Sequence, residues 1–82
     1  MRVVVTGGAG FIGSSLVRRL VMSGAHSVST VDALTYAGNL ESLECISASE
    51  RHRFFHADIC NESRIREIFD ETRPECVFHL AA

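Results

Sequence analysis

Four glycines lie close together between residues 7 and 13, directly after a run of valines. Gly7, Gly10 and Gly13 are spaced three residues apart, and Gly8 adds a fourth. Glycine lowers stability by about 0.5–1 kcal/mol relative to alanine inside regular structure. The cluster therefore indicates that the backbone at these positions needs the conformational freedom or the space that a side chain would remove. Where such a cluster opens a helix, the unpaired backbone N–H groups of the first turn can hold an anion such as a pyrophosphate.

The spacing fits the fingerprint of a dinucleotide-binding loop, in which each glycine has its own task. We expect Gly7 to allow a tight turn, Gly10 to let the backbone approach the pyrophosphate, and Gly13 to let the helix pack on the strand. The N–H groups of Phe11 and Ile12 would then face the anion. A P-loop is excluded because no Gly-Lys-Ser/Thr sequence follows. For the glycines taken alone, a turn without a ligand is the alternative.

A single acid supports the dinucleotide interpretation. Asp32 ends a second apolar run nineteen positions after Gly13, and the fingerprint places an acid about 20 residues further on. Its carboxylate can accept hydrogen bonds from the adenosine ribose and would repel the 2′-phosphate of NADP, so we predict NAD as the cofactor. The alternative for this residue alone is a solvated carboxylate at a strand end.

Two further segments are candidates for the same site. Asp58 and Ile59 follow the third predicted strand, where the carboxylate would bind the adenine amino group and Ile59 would pack on the ring. Asp58 could equally cap the next helix. Leu80, Ala81 and Ala82 end the fourth strand, where small side chains leave room for the cofactor's ribose and phosphate; plain core packing is the alternative.

The elements that must position these residues alternate along the chain. Apolar runs predict four strands, at 2–6, 27–32, 53–56 and 76–80. Strands that alternate with helices need crossover connections, and these produce a parallel sheet. The predicted fold class is therefore α/β, the β-α-β-β-α-β portion of a Rossmann-type NAD(P)-binding domain with strand order 3-2-1-4.

Helical patterns join these strands. The first helix starts at Phe11 and stops at Gly24, and a later helix is capped by Asn61 and ends before Pro74. Asn39 is placed to cap a short helix between them. We expect the first helix to bury one apolar face, formed by Phe11, Ile12, Leu16, Val17, Leu20 and Val21.

Composition narrows the class of protein. The chain of 82 residues has 8 basic and 10 acidic residues and a net charge of −2. It therefore has no excess of positive charge that would attract nucleic acid or an anionic membrane. No run reaches the length of a membrane span. Cys45, Cys60 and Cys76 form no CxxC pair, so we predict reduced thiols in the cytoplasm and no metal site. His79 is expected to be a hydrogen-bonded core histidine on a buried strand, and a catalytic base is the alternative.

The motif TGGAGFIG, with HADI and VFHLAA further along, resembles the extended short-chain dehydrogenase/reductases, of which many act on nucleotide sugars. The segment VDALTYAGNLESL is similar to the dTDP-glucose 4,6-dehydratases within that family. The resemblance implies that Phe11 and Ile12 contact the pyrophosphate. It also implies an adenosine ribose wall built from Asp32, Ala33, Leu34, Thr35 and the stretch from Tyr36 to Gly38.

The same resemblance implies NAD-dependent dehydration of dTDP-glucose to a 4-keto-6-deoxy sugar, in a protein that is usually a homodimer. The family's Tyr-x-x-x-Lys motif is absent, because Tyr36 is followed four positions later by Leu40 and the chain has no lysine. We therefore predict no catalytic residue within 1–82, and an inactive chain when it stands alone. It would be the N-terminal part of one NAD-binding domain, with the rest of that domain and a substrate domain beyond it.

Two other functions stay open at this point. One is an NAD-dependent nucleotide-sugar epimerase or decarboxylase of the same superfamily. The other is a non-catalytic nucleotide-binding module that is complete as it stands, which the mass of the native gene product would test.

Overall fold

A computed structural model describes residues 1–34, 43, 46 and 49–81. Within them, one sheet contains the strands β1 (Arg2–Thr6), β2 (Ser27–Asp32), β3 (His52–His56) and β4 (Cys76–His79). All paired strands are parallel, and their order is β3-β2-β1-β4. The predicted α/β class, parallel sheet and strand order are confirmed.

Two helices connect these strands. The first, α1 (Phe11–Met22), follows β1 and ends just before Gly24, which has a φ of +76°. The second, α2 (Glu62–Thr72), is capped by Asn61, whose Oδ1 accepts a hydrogen bond of 3.2 Å from the N–H of Arg64. Both helices therefore stop and start at the residues that the sequence indicated. None of the helices in the described residues is long and apolar enough to cross a membrane.

The short helix predicted after Asn39 lies largely outside the described residues. Leu43 and Ile46, two apolar residues of this stretch, are described and are both buried. They pack into the same cluster as Val17 and Val21 of α1. The connection between β2 and β3 thus contributes apolar side chains to the core on the α1 side.

Alternate residues of the strands belong to two separate cores. On the α1 side, Val3, Val5 and Val28 pack with residues of α1. On the α2 side, Val4, Val31 and Phe55 pack with residues of α2, among them the fully buried Ile68. Successive side chains of a strand point to opposite faces, so a sheet covered on both faces needs the uninterrupted apolar runs seen in β1 and β2.

The expectation that Phe11 and Ile12 face the core is wrong. Their side chains are 91% and 71% exposed, whereas Val17 and Val21 are buried. The buried side of α1 runs through Gly13, Val17 and Val21, and at about 100° per residue Phe11 lies some 200° away from Gly13. The first turn of α1 therefore presents two large apolar side chains to solvent.

His79 also differs from its prediction. It makes the expected hydrogen bond, with Thr6, but its side chain is exposed rather than buried. The reason is the place of β4, which lies at one end of the described sheet with β1 as its neighbour.

The burial of His52 makes the stability of the fold depend on pH. His52 Nε2 is hydrogen-bonded to Thr30 Oγ1 at 2.8 Å, and burial lowers the pKa of His52 below its usual 6.5. The unfolded chain then binds a proton that the folded chain disfavours. The contribution of His52 to stability is therefore fully present above pH 6.5 and is lost as the pH decreases toward the lowered pKa.

Replacing His52→Gln removes this titration and keeps an amide group near the Nε2 position. In urea unfolding of the full-length protein, wild type should lose more free energy of unfolding than H52Q between about pH 7 and pH 5. Equal losses in the two proteins would contradict the assignment.

Candidate functional site

The turn that joins β1 to α1 lies at the carboxyl edge of the sheet. Gly7 has a φ of +73°, and its N–H donates a hydrogen bond of 2.8 Å to the carbonyl oxygen of Val31 on β2. A Cβ on Gly7 would lie 2.8 Å from the nitrogen of Ala81 and 2.9 Å from the carbonyl carbon of Leu80. Both the backbone conformation and the lack of space require glycine here, and the predicted tight turn is present.

Gly13 brings α1 close to this turn. An added Cβ would overlap the carbonyl oxygen of Gly7 and would lie 3.0 Å from the Cα of Gly8. The close contact that was expected with the strand is therefore made with the turn that follows the strand. It fixes the position of the first turn of α1 relative to β1.

The first turn of α1 has no side-chain cap. Gly10 occupies the N-cap position, donates a hydrogen bond of 3.1 Å to the carbonyl oxygen of Gly7, and contributes no side-chain acceptor. No acidic residue lies in the first turn, and the N–H groups of Phe11 and Ile12 have no acceptor within the helix. The positive end of the helix dipole and these N–H groups are thus available to an anion.

Asp32 connects the glycine turn to the segment that follows β2. Its Oδ2 accepts a hydrogen bond of 2.9 Å from the N–H of Ala9, and its Oδ1 accepts one of 2.7 Å from the N–H of Leu34. The residue is only 9% exposed, so the alternative of a solvated carboxylate is wrong. Each carboxylate oxygen can accept one further hydrogen bond, which leaves capacity for ligand hydroxyls.

The backbone after β2 is held in a specific shape. Leu34 has a φ of +56°, a left-handed value that is uncommon for a residue other than glycine. His56 Nε2 donates a hydrogen bond of 2.9 Å to the carbonyl oxygen of Ala33. Sequence reasoning missed this role of His56. The residue lies here because it is the partner of Asp32 in the register of β2 and β3. Thr35 and Gly38 lie outside the described residues.

Asp58 and Ile59 follow β3 at the same edge of the sheet. Asp58 Oδ1 accepts a hydrogen bond of 2.8 Å from the N–H of Cys60, and the side chain is exposed. Since Asn61 caps α2, the alternative of a helix-capping Asp58 is wrong. Ile59 is half-buried.

Leu80 and Ala81 follow β4 and lie against the glycine turn. Leu80 is 45% exposed, and its N–H donates to both the carbonyl oxygen and Oγ1 of Thr6, at 3.0 and 3.1 Å. The N–H of Ala81 reaches the same Oγ1 at 3.4 Å. Sequence reasoning missed Thr6, which is the β1 partner of His79. Ala82 lies outside the described residues.

The fold brings three of the predicted segments together directly. The glycine turn contacts the Asp32 segment on one side and Leu80 and Ala81 on the other. Because β1 lies between β2 and β4, this point is the place where the strand order reverses, and ligands of open α/β sheets bind in that crevice. The arrangement can hold a diphosphate at α1 and a sugar hydroxyl at Asp32.

Comparisons with known proteins agree with this geometry. Residues 3–82 match the model of the family described as "NAD dependent epimerase/dehydratase family". The dTDP-glucose 4,6-dehydratase of Salmonella typhimurium is 52% identical over 100% of this chain, and dTDP-glucose 4,6-dehydratase 1 of Escherichia coli K12 is 54% identical over 100% of it. The chain spans only 23% of the length of each of these relatives.

Solved structures give the same result. The dTDP-glucose 4,6-dehydratase of Bacillus anthracis, in complex with NAD, has a TM-score of 0.96 and 34% identity over 100% of this chain and 27% of its own. The UDP-glucose 4-epimerase of Thermotoga maritima, with UDP-glucose, has a TM-score of 0.85 and 41% identity over 100% of this chain and 24% of its own. The resemblance read from the motifs is confirmed, and the protein belongs to the NAD dependent epimerase/dehydratase family.

Proposed function

We propose that this chain supplies the NAD-binding part of an enzyme that dehydrates dTDP-glucose to dTDP-4-keto-6-deoxyglucose. Residues 1–82 would form the N-terminal part of one NAD-binding domain, followed by the rest of that domain and a substrate domain. The relatives named dTDP-glucose 4,6-dehydratase support this, since the chain aligns with 23% of their length at above 50% identity. Catalytic residues and most of the dTDP-sugar site would lie beyond residue 82, in a homodimer.

One observation carries the cofactor assignment: the carboxylate of Asp32 is bonded to the glycine turn, 2.9 Å from the N–H of Ala9. An acceptor for ribose hydroxyls is thereby fixed beside the uncapped first turn of α1. NAD, when bound, supplies a centre that takes up and returns a hydride. The N–H groups of Phe11 and Ile12 would bind its pyrophosphate, and Asp32 would bind its adenosine ribose.

The remaining segments would complete the same cleft. Ala33 and Leu34, with Thr35 and Gly38, would form the wall beside the adenosine ribose. Asp58 and Ile59 would border the adenine, and Leu80 to Ala82 would lie along the inner half of the cofactor. The exposed side chains of Phe11 and Ile12 fit this proposal, because a ligand seated on the first turn of α1 would cover apolar surface that the core does not.

Asp32 would also choose between the two coenzymes. Its carboxylate is held by two backbone N–H groups and is nearly buried, so it cannot swing away from a ligand. A 2′-phosphate on the ribose would meet this fixed negative charge at short range and in a poorly screened place. NAD is therefore the favoured coenzyme over NADP.

The test uses the full-length protein. Denaturation of the purified protein should release NAD, identified by its mass, and incubation with dTDP-glucose should give a product lighter by one water. Absence of NAD together with failure to bind added NAD would refute the cofactor assignment. Binding of NAD without loss of water from dTDP-glucose would refute the dehydratase assignment alone.

A UDP-glucose 4-epimerase is the second candidate function. One observation supports it: the Thermotoga maritima epimerase is 41% identical to this chain, which is more than the 34% of the Bacillus anthracis dehydratase and less than the 52% and 54% of the two dehydratase relatives. Epimerisation leaves the mass of the sugar nucleotide unchanged, so incubation with UDP-glucose followed by chromatography separates this outcome from dehydration.

A further inference from the structure

A buried threonine and a histidine are paired next to the candidate site. Thr6 is the last residue of β1, is 5% exposed, and lies opposite His79 in the register of β1 and β4. Its Oγ1 lies 2.7 Å from Nδ1 of His79. This distance is at the short end for a hydrogen bond between a hydroxyl and a ring nitrogen.

The surroundings of this hydroxyl decide which partner donates the proton. Thr6 Oγ1 accepts from the N–H of Leu80 at 3.1 Å and lies 3.4 Å from the N–H of Ala81. A hydroxyl has two acceptor positions and one hydrogen to donate. With both acceptor positions directed to backbone N–H groups, its own hydrogen is left for Nδ1 of His79.

We propose that His79 is a positioning residue for the cofactor cleft. Its ring carries the proton on Nε2 and accepts from Thr6 at Nδ1, which orients the hydroxyl so that its oxygen receives Leu80 and Ala81. The inference rests on the proposed function, in which these two residues border NAD.

The hydrogen bonds of Thr6 with His79, Leu80 and Ala81 act on the cleft through a close contact between two backbone segments. An added Cβ on Gly7 would lie 2.8 Å from the nitrogen of Ala81, so the backbone of Ala81 and the glycine turn touch. If Thr6 lost its acceptor and its hydroxyl rotated, Leu80 and Ala81 would lose part of their anchor to β1. A shift of these residues would alter the surface on which both the glycine turn and the cofactor rest.

Two substitutions separate hydrogen bonding from bulk. His79→Asn places an amide oxygen near the position of Nδ1, whereas His79→Leu keeps a comparable volume without an acceptor. In calorimetric titration of the full-length protein, freed of cofactor, with NAD, H79L should raise Kd by about fivefold, as expected for one lost neutral hydrogen bond. H79N should stay within about twofold of wild type.

A matched control and a double variant complete the binding test. His52 pairs with Thr30 at 2.8 Å on β2 and β3, so His52→Leu removes the same kind of bond away from Leu80 and Ala81 and should change the NAD Kd by less than about twofold. Adding H79L to Thr6→Val should raise Kd no further than Thr6→Val alone, because the two residues act through one bond. Equal effects of H79L and H52L, or additive effects of Thr6→Val and H79L, would overturn the proposal.

A spectroscopic measurement does not depend on any variant. In wild-type protein labelled with ¹⁵N-histidine and measured at about pH 8, the nitrogen shifts of His79 should show the Nε2-protonated form. The Nδ1-protonated form would overturn the proposal even if a variant fails to fold. A wild-type protein that does not bind NAD would instead refute the proposed function and would leave the ring-proton result to decide this inference.

Discussion

Replacing Gly7→Ala should abolish measurable NAD binding and destabilise the fold, whereas Gly24→Ala should leave NAD binding intact. The two glycines form a matched pair, because their φ angles are +73° and +76°. A left-handed backbone costs a residue with a Cβ about 1–2 kcal/mol at either place. Only at Gly7 does the added atom also meet backbone atoms, the nitrogen of Ala81 at 2.8 Å and the carbonyl carbon of Leu80 at 2.9 Å.

The contact at Gly7 determines how much more unfolding free energy G7A loses than G24A. Nothing lies within 4 Å of a Cβ at Gly24, so G24A should lose about 1–2 kcal/mol of unfolding free energy. G7A should lose about 1–3 kcal/mol more, since the backbone of Leu80 and Ala81 must move. Urea unfolding and NAD titration of the full-length protein measure both effects. If G7A matched G24A in stability and bound NAD within twofold of wild type, the close approach of Leu80 and Ala81 to the glycine turn would be wrong.

Replacing Asp32→Ala should weaken NAD binding by about 100-fold or more, because two backbone N–H groups lose their acceptor and the ribose loses its partner. These are the N–H groups of Ala9 and Leu34, at 2.9 and 2.7 Å from the carboxylate. The loss should appear in stability as well, since unpaired buried donors cost about 1–3 kcal/mol each. Asp70→Ala, which removes an exposed carboxylate of α2, controls for net charge and should change neither quantity.

The variant Asp32→Asn removes the negative charge and one of the two acceptor oxygens. It keeps one acceptor oxygen, but its amide nitrogen would face one of the two backbone N–H groups, so NAD affinity should fall less than in D32A. Discrimination against NADP should fall more than NAD affinity does, because the negative charge that repels the 2′-phosphate is gone. Titration with both coenzymes measures the ratio, and an unchanged ratio would show that Asp32 does not face the ribose.

Periodicity was enough to locate the strands and the two helices described here. The valine runs of β1 and β2 predicted strands buried on both sides, and the capping role of Asn61 followed from its place before an amphipathic stretch. The strand order is that of the dinucleotide-binding fold, which the glycine cluster and Asp32 together indicated. The strands and the helix caps depend on neighbours in sequence, which is the information a sequence contains most directly.

The errors and omissions have a physical cause. Phe11 and Ile12 were assigned to the core because they are apolar, yet the buried side of α1 runs through Gly13; in the proposed function, a ligand would use that apolar surface instead. The bonds of Asp32 to Ala9, of His56 to Ala33 and of Thr6 to His79 join residues 23, 23 and 73 positions apart. Such pairs depend on strand register and side-chain orientation, which apolar patterning does not specify. Departures of this kind are expected to gather at functional sites.

The two backbone partners of Asp32 have a consequence for attempts to redesign coenzyme choice. Accommodating a 2′-phosphate on the ribose would require the negative charge of Asp32 to be removed. Replacing Asp32 by a residue without a side-chain oxygen would also leave the N–H groups of Ala9 and Leu34 without their acceptor. Such a substitution would therefore change coenzyme preference and stability together. A successful redesign needs a replacement that still offers oxygen to both amides, with the positive charge introduced from another position.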